Sequence, residues 1–82
     1  MAQEAIHINY ALQLLDLAAK YRQKVDLRAW KKNGEEVHYS GWIPVGSHWR
    51  RGIHRLMNPV NGQVRAVIDV LIFELNGHTV YL

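Results

Sequence analysis

Asn61-Gly62-Gln63-Val64-Arg65-Ala66-Val67-Ile68-Asp69-Val70-Leu71-Ile72-Phe73-Glu74-Leu75-Asn76-Gly77 is the stretch on which the fold turns. An Asn-Gly pair stands at each end, and Asn-Gly is the strongest short hairpin signal because a two-residue type I′ turn needs positive φ at both positions. After Gly62 the apolar residues Val64, Ala66 and Ile68 recur at every second position, as in a strand. Residues 67–73 form the most apolar run of the chain and are expected to be the central strand. Asp69 inside that run marks a bulge, or the point where the chain crosses from one hairpin to the next.

Upstream, a third Asn-Gly pair, Asn33-Gly34, lies between two alternating segments. Val25, Leu27 and Ala29 alternate with Asp26 and Arg28, and Val37, Tyr39 and Gly41 alternate with His38 and Ser40. Residues 78–82 form a short closing strand. Residues 44–52, bracketed by Pro44 and two glycines, are expected to form the main loop.

Residues 10–22 are the one good helix, with Leu12, Leu15 and Ala19, and also Tyr10, Leu14, Leu17 and Tyr21, at helical spacing. Asn9 is the expected N-cap, and Asp16 is placed to pair with Lys20 one turn on. The apolar stripe is wide, so burial against a sheet plus a second contact is expected. The fold expected is therefore α+β: one N-terminal helix packed on a strongly bent antiparallel sheet, or a small open β-barrel, of five to six short strands. Residues 1–82 form a single domain.

The chain carries no cysteine, which excludes disulfides, thiolate nucleophiles and Cys-based metal sites. Nearly half of its 82 residues are apolar, too many for a disordered chain. Residues 1–7 lack the basic start and apolar core of a secretory leader, and no apolar run has membrane-spanning length; a cytoplasmic protein is expected.

The net charge of +3 is unevenly spread. Residues 20–55 hold nine Lys/Arg against three acids, and the remainder one Arg against four acids. Glu35 and Glu36 are expected to offset Lys31 and Lys32 across the first hairpin.

Trp42, His48, Trp49, Arg50, Arg51, His54 and Arg55 fall close together and are the candidate binding residues. Cations interleaved with aromatic rings suit a single-stranded nucleic acid, where guanidinium meets phosphate and a ring stacks on a base. The competing expectation is structural, with the Trp rings capping the core and the Arg residues solvating the loop. None of the five histidines stands in HxH or HxxxH spacing, and there is no Gly-rich phosphate loop, so no metal and no cofactor is expected. Ser47 and His48 are adjacent, which is not a nucleophile–base geometry. His48 or His54 with Arg50 or Arg55 offers acid–base chemistry on a phosphodiester.

Gly46-Ser47-His48, followed by a strand and an Asn-Gly turn, resembles the Gly-Ser-His strand of double-stranded-RNA-binding-domain-like ribonuclease toxins. Those toxins carry a further helix after the sheet, where a strand stands here. A broader resemblance runs over residues 6–80. Ile6-His7-Ile8-Asn9-Tyr10-Ala11-Leu12, Val25-Asp26-Leu27-Arg28-Ala29-Trp30, Val64-Arg65-Ala66-Val67 and Ile72-Phe73-Glu74-Leu75-Asn76-Gly77 together resemble a group of small uncharacterised proteins from gut bacteria and their phages or mobile elements. That resemblance implies a cytoplasmic accessory protein and a short extra strand at residues 6–8. It transfers no site residue. The favoured expectation is a non-catalytic interaction module that forms a homodimer or binds a protein partner through the helix face or an unpaired strand edge. The alternatives are a nucleic-acid-binding module using residues 42–55 and a small nuclease.

Overall fold

Helix α1 spans Ile8–Tyr21 in the computed structural model, which describes residues 4–48 and 50–82. It begins two residues earlier than the spacing predicts, because a different side chain caps it. A two-residue strand β1 (Ile6–His7) leaves His7 extended (φ −70°, ψ 147°), and its Nδ1 accepts the Asn9 N–H at 3.0 Å. His7 is thus the N-cap in place of Asn9. At the far end Arg22 adopts the left-handed conformation (φ 54°) and the Gln23 N–H reaches the Ala18 carbonyl at 2.8 Å, a Schellman closure. The wide apolar stripe divides. Ile8, Ala11, Leu15 and Ala18 are buried, while Tyr10, Leu17 and Tyr21 stay more than half exposed. Asp16 turns to His54 rather than Lys20.

The remaining strands are β2 (Val25–Trp30), β3 (Glu36–His48), β4 (Ile53–Met57), β5 (Val64–Ile68), β6 (Ile72–Leu75) and β7 (His78–Tyr81). They form one open sheet in the order β1-β7-β6-β2-β3-β4-β5. This is seven strands rather than five or six, and the sheet is mixed rather than antiparallel, because β1 runs parallel to β7 (Ile6 beside Val80, His7 beside Tyr81). Nearly the whole chain lies between these two strands, so no hairpin forces them antiparallel.

All three Asn-Gly pairs close hairpins, between β2 and β3, β4 and β5, and β6 and β7. Only Asn76-Gly77 is the two-residue turn with both φ positive (52° and 85°). The other two sit in longer loops, where the glycine alone takes the left-handed position.

β3 runs on through residues 44–48, so of the expected main loop only residues 50–52 lie outside a strand among the described residues. Pro and Gly are tolerated because each marks an irregularity. Gly41 (φ 71°) is the extra residue where Val25 pairs with Trp42 but Asp26 with Ser40. Val45 is the extra residue between Pro44 and Gly46. At these bulges β3 leaves β2 and takes β4 as partner, which turns one half of the sheet toward the other.

The apolar run 67–73 is not one central strand. It ends β5 at the sheet edge, crosses through a 3-10 turn (Asp69–Leu71) and enters β6 between β7 and β2. Asp69 makes the crossing, its N–H donating to the Gly52 carbonyl at 2.8 Å.

Leu15, Leu27, Leu56 and Leu75 are wholly buried where the helix meets the sheet, each contributing about 1.5–3 kcal/mol. Arg28 lies between Glu36 (3.9 Å) and Glu74 (3.7 Å), so Glu36 pairs with Arg28 instead of offsetting Lys31 and Lys32. Among the described residues no helix is long and apolar enough to cross a membrane.

Candidate functional site

The seven expected binding residues do not share one surface. Trp42 is half-buried against the core, with its ring edge-on to Tyr39 at 4.8 Å. His54 is 5% exposed. His48, Arg50, Arg51 and Arg55 are exposed, and Trp49 lies outside the described residues.

His54 sits between two carboxylates. Its Nδ1 is 2.6 Å from Asp69 and its Nε2 is 3.0 Å from Asp16. Each ring nitrogen thus has one carboxylate partner, so the ring is held from both sides. Three elements meet here: α1 supplies Asp16, β4 His54 and the crossing turn Asp69. Nε2, the nitrogen that would accept a proton from a nucleophile, is turned to Asp16. Ser47 stands across from His54 in the ladder but is exposed and makes no hydrogen bond to it among the described residues. The network therefore has the composition of a catalytic dyad and the connectivity of a structural tie. No group of three His, Asp or Glu among the described residues is arranged to hold a metal ion.

A better-formed site lies where the sheet fails to close. Between β5 and the end of the β2–β3 hairpin opens a cleft of about 290 Å³. Val37, Tyr39 and Val67 line its apolar part, and Lys31, Lys32 and Arg65 contribute charge. Arg65 shares a face with buried Leu56, its cross-strand partner, and so points into the trough. A second cleft, of about 510 Å³, lies between the end of α1 and β3–β4 and brings only Arg22 as a charge.

β5 bounds the first cleft with an unpaired edge. The Asn58 N–H donates to Gln63, and the Asp69 N–H to Gly52. These two bonds set the alternation of the ladder, so Arg65 and Val67 bond to β4 while the amides of Val64, Ala66 and Ile68 face outward. No strand of the described residues lies beyond them. Sequence reasoning missed this site because Arg65 lies far along the chain from Lys31 and Lys32. The available signal was the alternation of Val64, Ala66 and Ile68, read only as a strand and not as an edge.

Burial raises the Tyr39 phenol above its ordinary pKa, and the Arg65 charge partly opposes the rise. In this state the folded protein keeps a proton that the unfolded chain has lost above about pH 10, so stability falls as pH rises through that point. Urea denaturation of the native chain and of Tyr39→Phe at increasing alkaline pH checks this. The native chain is expected to lose stability more steeply, and equal slopes would refute the assignment.

Comparisons of the chain with protein-family models, with curated proteins and with solved structures each return no match.

Proposed function

We propose that this protein is a non-catalytic interaction module that takes up an extended segment of a protein partner along the free edge of β5. The observation that carries the reading is the outward-facing backbone of Val64, Ala66 and Ile68 at the rim of an open cleft. An unpaired edge offers main-chain donors and acceptors at strand spacing, which is how strand addition gains affinity, and the cleft beside it gives room for alternate side chains. The connectivity of His54 supports binding over catalysis, because its basic nitrogen already has a partner.

Ala66→Pro tests the proposal. Proline removes an outward N–H that β4 does not use, so the β4–β5 ladder keeps its bonds. Peptides selected from a random display library on the native chain are expected to lose most of their binding to the variant. Selected binders indifferent to Ala66→Pro would sink the proposal. Self-association through the exposed helix stripe of Tyr10, Leu17 and Tyr21 is a second reading, favoured by that exposure. It requires solution mass to rise with concentration in native chain and Ala66→Pro alike.

A further inference from the structure

The cleft beside β5 carries charge of one sign. Lys31 and Lys32 enter from the β2–β3 hairpin and Arg65 from β5, and among the described residues no acid lines the cleft with them. Glu35, whose carbonyl accepts the Lys31 N–H at 2.7 Å, stands beside the two lysines but does not line the cleft and makes no salt bridge among the described residues. Glu36 and Glu74 pair with Arg28, and Asp26 with His38. None of the three cleft cations has a salt bridge among the described residues. Arg65 donates one bond, to the Val64 carbonyl at 3.4 Å.

The two faces of β5 differ. Arg65 and Val67 point into the trough with Leu56 and His54, their cross-strand partners. Val64, Ala66 and Ile68 lie on the other face, where Val64 is 45% exposed. A strand added to this edge would place successive side chains alternately on these two faces. One set would meet three cations, the other the apolar side chains of Val64, Ala66 and Ile68, with Arg55 across from Ala66 on that face.

We infer that the segment docking on β5 is extended, with acidic side chains alternating with apolar ones, the acids facing Arg65, Lys31 and Lys32. This rests on the strand-docking reading above. A second copy of the chain is a poorer occupant, because pairing β5 with β5 brings two clefts of the same charge together, and like charges across an interface are unfavourable. A single-stranded nucleic acid could satisfy the cations but not the alternating main-chain donors and acceptors of Val64, Ala66 and Ile68.

Two capped synthetic peptides of about eight residues, the length of a long strand, serve as probes: one alternates Glu and Val, the other Lys and Val. An oligouridylate is the third probe. Each is titrated onto the native chain, Ala66→Pro and Arg65→Gln, with circular dichroism of each variant as the folding control. The Glu/Val peptide is expected to bind at least about tenfold more tightly than Lys/Val, and each substitution to weaken it by about tenfold or more, with affinity falling as salt rises. If Ala66→Pro does not fold, a Glu/Val peptide N-methylated at alternate amides blocks the same pairing from the other side. Equal binding of the two peptides, both weakened by Ala66→Pro, overturns the charge inference and leaves strand docking standing. Absence of peptide binding, or peptide binding indifferent to Ala66→Pro and to N-methylation, overturns both. Oligouridylate binding that is tighter than Glu/Val, lost in Arg65→Gln and retained in Ala66→Pro, makes the cleft a nucleic-acid site and overturns the inference.

Discussion

Asp69→Ala is expected to lower the free energy of unfolding by about 1–3 kcal/mol, the usual cost of leaving a buried polar group without its hydrogen-bond partner. Asp69 is 8% exposed and His54 5%, with 2.6 Å between carboxylate and Nδ1. Removing the carboxylate strands the His54 N–H in a site that water reaches poorly. It also frees the turn through which the chain passes from β5 to β6. A domain of this length has a total stability of roughly 4–12 kcal/mol, so the variant is expected to unfold at a clearly lower denaturant concentration. Asp69→Asn keeps an acceptor oxygen and should lose less. Asp16→Ala removes the partner on the exposed side, where the carboxylate side chain is 63% accessible, and should cost about 1 kcal/mol or less. Urea midpoints at constant m-value measure all three. A loss below about 1 kcal/mol for Asp69→Ala would mean that the tie does not hold the crossing turn in place.

Leu27→Ala is the second large effect, with an expected loss of about 2–5 kcal/mol from the lost transfer energy and the cavity left behind. Leu27 is wholly buried at the centre of β2, with Tyr39 of β3 on one side and Leu75 of β6 on the other. Strands on both sides limit how far the surroundings can collapse into the hole. Leu17→Ala is the matching control. Leu17 is 51% exposed, and its truncation should cost well under half as much. Similar losses for the two leucines in denaturant titrations would refute the placement of the core.

The features that could be read from the residues share one property: neighbours a few positions away decide them. The three Asn-Gly pairs specified hairpins because backbone preference at two residues suffices to reverse the chain. The helix was legible from its spacing, though its start was displaced because His7, rather than Asn9, offered the capping acceptor. Asp69 was legible as an anomaly, since a carboxylate in an apolar run needs a partner, but nothing near it in the sequence names that partner. Residues 44–52 resembled a loop because Pro44 and Gly46 usually punctuate strands. The structure uses them at a bulge, where a missing N–H costs nothing.

The candidate site was less legible than the fold. Trp42 and His54 attracted a binding interpretation because aromatic and basic residues cluster around them, yet burial on one face of β3 and β4 turned both inward. Glu36 stands close to Lys31 and Lys32 in sequence, but strand register sets it against Arg28.

Local chemistry is enough to specify the helix, the three hairpins, the mild positive charge and the absence of cysteine chemistry. Long-range contact alone decided the rest. His54 meets Asp69 across 15 positions and Asp16 across 38. β1 finds β7 from the opposite end of the chain. The order of strands, and with it the free edge of β5 beside three cations, follows from where β3 changes partner. Side-chain alternation states which face of a strand is apolar. Whether a neighbour lies beyond its edge depends on how the whole sheet is assembled.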